Sequence, residues 1–146
     1  MSSRDDLFEA ARSVQAKAYA PYSRFKVGAA LRTPSGQVFT GCNVENAAYP
    51  EGACAETGAI SAMVAAGERR IAEIVVMGEG DALVPPCGGC RQRIREFASA
   101  ETPVHVAGPE GIRKSFTLDE LLPFSFGPDN LRRSTRETPK GADPTT

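Results

Sequence analysis

Residues 71–77, IAEIVVM, form a nearly continuous apolar run in the middle of the chain. Such a run predicts a β-strand whose sheet is covered by helices on both faces. Helical patterns flank it on either side, over residues 54–66 and 87–97. A buried strand between two helices is typical of an α/β domain built in three layers.

The pattern continues outward from this strand in both directions. The N-terminal segment has the apolar spacing of a helix, which Pro21 is expected to end. The predicted strands lie at residues 27–33, 38–44, 71–77, 104–107 and 112–116, the first two as a hairpin. The predicted inward face of the helix over 54–66 consists of Ala59, Ile60, Met63 and Val64. The order α-β-β-α-β-α-β-β predicts an α/β fold in three α-β-α layers around a mixed sheet.

Chain length and composition predict one domain with a C-terminal tail. A chain of 146 residues is long enough to bury a core without disulfides or other staples. From Gly127 onward the sequence has no apolar period, so residues 1–126 are predicted to form the domain and 127–146 a disordered tail.

Charge and hydropathy exclude several classes of partner. The net charge of -1 lacks the basic footprint of a nucleic-acid binder, so no nucleic-acid partner is expected. No apolar stretch approaches the roughly 20 residues of a membrane-spanning helix, so no membrane partner is expected either. The polar N-terminus lacks the apolar core of a secretory signal, and we therefore predict a cytoplasmic protein. In that reducing compartment its four cysteines suggest metal ligands or core residues before disulfides.

Two cysteine motifs carry the chemistry. Cys54 and Glu56 belong to the sequence CAE, and Cys87 and Cys90 belong to PCGGC at residues 86–90. Three thiolates can hold a zinc ion and leave its fourth position open for water. Both motifs open predicted helices, whose N-termini stabilise thiolates. Glu56 is poorly placed to be a fourth ligand, but it could act as a general base and then a general acid.

Each motif alone has a plainer interpretation. A Cys-x-x-Cys pair also occurs in redox sites and as half of a structural zinc site. A structural site would usually supply a fourth cysteine or histidine. Cys42 is the only spare cysteine and is expected to be a buried thiol, and the single histidine, His105, lies in a predicted strand. The combination of motifs therefore favours an open, catalytic zinc site.

Four ordered segments resemble one enzyme family. They are YAPYSRFKVGAAL at 19–31, GCNVENAAY at 41–49, CAE at 54–56 and PCGGCRQ at 86–92. Together they resemble the cytidine deaminases of the small, homotetrameric, zinc-dependent type, over residues 19–126. The resemblance implies the cytidine-deaminase-like fold, in which the mixed sheet has five strands.

The resemblance also implies a role for each motif residue. Cys54, Cys87 and Cys90 would hold one Zn²⁺ per subunit, where water would be activated for addition to C4 of the cytosine ring. Glu56 would carry the proton to N3 and then to the departing ammonia. The products would be uridine and 2'-deoxyuridine from cytidine and 2'-deoxycytidine, as in pyrimidine salvage.

Other residues would bind the nucleoside. By resemblance, Asn43 and Glu45 would hold the sugar hydroxyls, Phe25 would pack on the base and the main chain of Ala55 would read the polar edge of the ring. Two residues apart on an extended segment, Asn43 and Glu45 should point to the same side. Phe126 would reach the active site of a neighbouring subunit, which implies a homotetramer whose sites are completed across subunits.

Two alternatives remain open at this stage. One is a deaminase of the same fold that acts on another amino-nucleoside or a nucleoside antibiotic. The other is a structural zinc module without catalysis.

One residue departs from the family pattern. The family usually has arginine directly after the catalytic glutamate, and this chain has Thr57. Threonine can donate a hydrogen bond to a sulfur but adds no positive charge. Two hypotheses follow: the site relies more on helix dipoles and main-chain N–H groups, or Arg91 supplies the missing charge.

Overall fold

The computed structural model describes residues 3–132. The helices are α1 (Ser3–Gln15), α2 (Ala55–Ala65), α3 (Gly88–Phe97), α4 (Leu118–Leu121) and α5 (Pro128–Leu131). The strands are β1 (Gly28–Arg32), β2 (Val38–Cys42), β3 (Glu73–Met77), β4 (Pro103–Gly108) and β5 (Gly111–Thr117). Their order in the sheet is β2-β1-β3-β4-β5, with β3 and β4 parallel and the other neighbours antiparallel. The predicted mixed five-stranded sheet is confirmed.

Helices cover both faces of this sheet. On one face, Leu7 of α1 packs in a buried cluster with Val75 of β3. On the other face, Met63 of α2 and Ile94 of α3 pack in a cluster with Val76. Consecutive β3 residues therefore point into two different cores, which explains the continuous apolar run and confirms the three layers. Within residues 3–132, we find no helix whose length and apolar character would let it cross a membrane.

Two local predictions need correction. Val64 is 36% exposed, because α2 turns it away from the sheet. Helix α1 ends at Gln15, well before Pro21. The chain leaves the helix early because the Tyr19 N–H donates to the carbonyl of Asn43, and the Tyr19 carbonyl accepts from the N–H of Glu45. Tyr19 thus ties the end of the first segment to the loop that follows β2.

The start of the predicted tail is helical. Helix α5 lies within the segment expected to be disordered, where Asp129 pairs with Arg95 of α3 at 2.8 Å. The Gly127 N–H also donates to Oδ1 of Asn130 at 2.8 Å. These polar contacts stabilise the beginning of the predicted tail, and a pattern of apolar residues cannot indicate them. The rest of the predicted tail, residues 133–146, lies outside the described residues.

Candidate metal and catalytic site

The beginnings of two helices bring three sulfur atoms together. Cys54 is the N-cap of α2, Cys87 is the N-cap of α3, and Cys90 lies in the first turn of α3. Their Sγ atoms all lie within 4.8 Å of one another. Thiolates bonded to a tetrahedral zinc ion at ~2.3 Å lie about 3.8 Å from one another, a separation that falls inside the 4.8 Å limit of this cluster. The soft donors and their spacing therefore fit a zinc ion.

The thiols differ in their readiness to ionise. Burial, and then the nearby charge of Glu56, raises the pKa of Cys90 far above its ordinary value. Burial also raises the pKa of Cys54. Burial acts in the same direction on Cys87, but hydrogen bonds from the Cys90 N–H and from the Cys90 and Cys54 thiols outweigh it and lower its pKa. Ligand thiols must lose their protons, so metal binding at this site releases protons.

Glu56 is a buried carboxyl group beside these sulfurs. It lies in the first turn of α2 and is 4% exposed. Burial raises its pKa, while the main chain, the Cys90 thiol and the Arg93 guanidinium act in the opposite direction. A carboxyl group whose pKa is raised by burial is suited to accept and return a proton during a reaction.

Asn43 and Glu45 both reach the same stretch of chain, residues 22–27. The Oδ1 atom of Asn43 accepts from the Val27 N–H at 2.8 Å, and its Nδ2 donates to the Phe25 carbonyl at 2.8 Å. Glu45 Oε1 accepts from the N–H groups of Tyr22 and Ser23, at 2.9 and 3.0 Å. The two side chains therefore point to one side, as their spacing predicts.

The hydroxyl of Ser23 adds a hydrogen bond to Oε2 of Glu45. That bond is the largest cause of the lowered pKa of Glu45, which is therefore charged at neutral pH. A carboxylate has about four acceptor positions, so Glu45 retains capacity for another donor. Glu45 also lines a cavity of about 400 Å³, a volume typical of small-molecule sites. The other residues that line it are Tyr22, Ser23, Asn46, Tyr49 and Gly52.

The remaining predicted site residues lie at different depths. Ala55 is fully buried as the first residue of α2, where a helix leaves its N–H without an internal partner. Phe25 is partly buried and is held through its carbonyl by Asn43. Phe126 is 57% exposed, and its carbonyl accepts from Nε2 of Gln92 at 2.8 Å. The structure thus brings Phe25, Asn43 and Glu45 together and leaves Phe126 on the surface.

Arg91 has a different role from the one hypothesised. Its Nε donates to the Pro86 carbonyl at 2.7 Å and its Nη1 to the Leu121 carbonyl at 2.9 Å. The arginine that reaches a sulfur is Arg93, whose Nη1 lies 3.6 Å from Sγ of Cys90. Sequence reasoning missed Arg93, although a residue three positions after Cys90 on a helix lies on the same face.

Sequence reasoning also missed Glu79, which holds the segment that contains Phe25. Oε2 of Glu79 accepts from the Lys26 N–H at 3.1 Å. Glu79 follows β3 and is 53 residues from Lys26 in sequence, so no local signal could have indicated the contact.

Comparisons with known proteins agree with this geometry. Residues 1–106 match the family model described as the cytidine and deoxycytidylate deaminase zinc-binding region. The chain is 39% identical over 128 residues to a cytidine deaminase of Halalkalibacterium halodurans, covering 88% of this chain and 97% of that relative. It is 37% identical over 127 residues to a cytidine deaminase of Sporosarcina psychrophila, covering 87% of this chain and 93% of that relative. The crystal structure of the Burkholderia pseudomallei cytidine deaminase aligns with a TM-score of 0.80 and 44% identity, covering 86% of this chain and 100% of the other.

Proposed function

This chain belongs to the cytidine and deoxycytidylate deaminase family, and we propose from that premise that it hydrolyses cytidine and 2'-deoxycytidine to uridine and 2'-deoxyuridine with release of ammonia. The observation that carries the proposal is the buried carboxyl group of Glu56 beside three sulfurs that can hold one metal ion. This arrangement suits water activation. The predicted family is confirmed by the comparisons, and its cofactor is zinc.

The proposed ligands are Cys54, Cys87 and Cys90, one zinc ion per subunit. When bound there, zinc supplies a water molecule that ionises near neutral pH. The carboxylate of Glu56 would accept a proton from the attacking water and deliver it to N3 of the ring as the oxygen adds to C4. Glu56 would then take the proton of the new C4 hydroxyl and transfer it to the exocyclic amine, so that the C4–N bond breaks, ammonia leaves and the C4 oxygen becomes the carbonyl of the product. Because Glu56 is buried, its carboxyl group exchanges protons with the reactants and not with bulk water.

We assign nucleoside binding to the residues around the segment 22–27. Glu45 lines the cavity and has acceptor capacity for a sugar hydroxyl, and Asn43 retains one donor and one acceptor position beyond its two contacts. Phe25 packs on the base, and the main chain of Ala55 at the start of α2 recognises the polar edge of the ring. This assignment favours a nucleoside over a free base.

The test is Glu56→Gln in the full-length chain. Glutamine has nearly the same volume, so the protein should fold and retain zinc while turnover falls about 10²- to 10⁴-fold, the usual contribution of a general acid–base group. Turnover is followed by ultraviolet absorbance on a panel of cytidine, deoxycytidine, adenosine and amino-nucleoside antibiotics, with zinc measured on the same samples. Unchanged turnover in Glu56→Gln contradicts the role of Glu56, and wild-type activity confined to another amino-nucleoside contradicts the substrate.

The oligomeric state is part of the proposal. Large apolar side chains that a monomer would usually bury are exposed: Tyr49 at 75%, Leu131 at 76%, Phe126 at 57% and Phe124 completely. Exposed aromatic residues of this kind often mark subunit contacts. We assign Phe126 to the active site of a neighbouring subunit in a homotetramer. Sedimentation equilibrium that finds a fully active monomer contradicts this assignment.

We also assign the bounds of the catalytic domain and the compartment in which the enzyme works. The catalytic domain comprises residues 1–126, and α5 (Pro128–Leu131) is attached to it through the pair between Arg95 and Asp129. We place the protein in the cytoplasm because the three ligand thiols must remain reduced, and all four cysteines within residues 3–132 are free thiols.

A further inference from the structure

Arg93 makes a contact that the reaction described above does not use. Its side chain is on the exposed surface of α3, but its Nη1 donates a hydrogen bond to Sγ of Cys90 at 3.6 Å. Cys90 is fully buried. A guanidinium group therefore reaches from solvent to the most buried of the three sulfurs.

The local geometry of α3 explains how this contact forms. Helical side chains lean toward the N-terminus of their helix, so Arg93 covers the turn that contains Gly89 and Cys90. A Cβ atom at residue 89 would lie 3.1 Å from Nη1 of Arg93 and 3.8 Å from its Cζ. Glycine in the second motif therefore leaves room for the guanidinium group beside the sulfur.

Thr57 lies across the same groove between α2 and α3. A cavity of about 350 Å³ lies between the two helices, and Thr57 and Arg93 both line it. A cation at position 57 and one at position 93 would enter this space from opposite walls. Thr57 has no charge to contribute, and Arg93 has one.

We propose that Arg93 is the cationic positioning residue of the three-sulfur site, orienting Cys90 through its hydrogen bond to the sulfur and offsetting the negative charge of the zinc cluster from α3. Three thiolates and one Zn²⁺ sum to a net charge of -1, so an adjacent cation stabilises the loaded site. Groups that donate hydrogen bonds to metal ligands typically change metal affinity about 10- to 100-fold when they are removed. This inference rests on the proposed assignment of the three cysteines as ligands.

The test is the zinc affinity of the full-length protein, measured by competition with a chromophoric chelator and independent of turnover. Arg93→Gln should bind zinc about 10- to 100-fold more weakly than the wild type. Arg93→Lys keeps the charge and should retain most of the affinity. Adding Thr57→Arg to Arg93→Gln should restore affinity, because the new guanidinium group enters the same groove. If Arg93→Gln retains wild-type zinc affinity, the proposal is wrong. If adding Thr57→Arg does not restore the affinity of Arg93→Gln, a guanidinium group at position 57 does not act through the same groove as Arg93.

The matched control is Arg12→Gln, which removes the same charge from α1 on the opposite face of the sheet. It should leave zinc affinity unchanged, and an equal loss in this variant would show a general effect of net charge and overturn the specific role of Arg93. Cys90→Ser is the reference for a lost ligand. If Cys90→Ser binds zinc as the wild type does, the ligand assignment and this inference both fail. A wild type that binds zinc tightly but does not deaminate cytidine overturns the proposed function alone.

Discussion

Gly41 of β2 lies directly against Ala55 of α2. A Cβ atom at residue 41 would be 2.4 Å from the carbonyl oxygen of Ala55 and 2.4 Å from the main-chain nitrogen of Ala59. Real Cβ atoms do not approach main-chain atoms so closely, so only glycine permits this packing. Because Ala55 stands between Cys54 and Glu56, the contact sets the position of both the sulfur and the carboxyl group.

Gly41→Ala should therefore displace the start of α2. Overpacking of this kind costs about 1–3 kcal/mol of unfolding free energy, and the altered position of Cys54 should weaken zinc binding. Urea unfolding and zinc competition on the same protein measure the two effects. A variant with wild-type stability and zinc affinity would contradict the positional role of Gly41.

Gly58 offers a matched control on the other side of the same contact. Its added Cβ would lie 3.3 Å from the α-carbon of Gly41, a distance that needs a shift of only a few tenths of an ångström. Alanine also favours a helix by about 1 kcal/mol over glycine. Gly58→Ala should therefore change stability much less than Gly41→Ala, although both variants add one methyl group to the same interface.

The Asn43 amide predicts a linked change in stability and substrate affinity. Asn43→Ala leaves the Val27 N–H without its acceptor and the Phe25 carbonyl without its donor. Leaving such groups unpaired costs about 1–3 kcal/mol, and the loosened segment should raise KM for cytidine more than it lowers kcat. Steady-state kinetics and thermal unfolding check this. An unchanged KM would mean that Asn43 neither binds the nucleoside nor positions Phe25 for it.

Much of the architecture could be predicted because it depends on local patterns. The apolar run over 71–77 anticipated a strand buried on both faces, and the helices after Cys54 and Cys87 begin within one residue of the expected positions. The contacts that position the site depend on residues far apart in sequence. Gly41 meets Ala55 only after β2 and α2 have packed, and Glu79 meets Lys26 only after the sheet has formed.

The arginine beside the sulfur of Cys90 shows a second reason why the prediction from sequence was incomplete. Arg91 is next to Cys90 in sequence, but adjacent residues on a helix point about 100° apart, and Arg91 binds the Pro86 and Leu121 carbonyls instead. Arg93, three residues on, shares a face with Cys90. Helical periodicity could have selected Arg93, whereas adjacency in sequence favoured Arg91.

The lowered pKa of Glu45 predicts a pH effect. The carboxylate form of Glu45 accepts the hydrogen bonds from Ser23 and Tyr22. The stability that these bonds give to residues 22–27 is therefore complete above about pH 4.5, and it is lost as the pH falls through the lowered pKa of Glu45. Ser23→Ala removes the largest cause of the shift and should move the Glu45 pKa up toward 4.5. Carbon-13 NMR titration of the side-chain carboxyl groups measures the change.

Glu110 is the internal control for that titration. Arg113 lowers the pKa of Glu110 through a hydrogen bond that does not involve Ser23. Its titration should be the same in the wild type and in Ser23→Ala. Equal movement of both carboxyl groups would indicate a global change in the protein, and an unmoved Glu45 would contradict the role of Ser23.

Substitutions of Arg91 and Arg93, which both lie on α3, should affect different properties of the protein. Loss of Arg91 should lower its stability, and loss of Arg93 should lower its zinc affinity. Arg91 joins the Pro86 and Leu121 carbonyls, so Arg91→Gln removes two charge-assisted hydrogen bonds between the second motif and α4. We expect Arg91→Gln to lower the unfolding free energy of the zinc-free protein by about 1–3 kcal/mol. Arg93→Gln should leave that free energy within about 0.5 kcal/mol of the wild type, as surface substitutions usually do. Urea unfolding in the presence of a chelator makes the comparison, and equal destabilisation by the two variants would contradict the division of roles between these arginines.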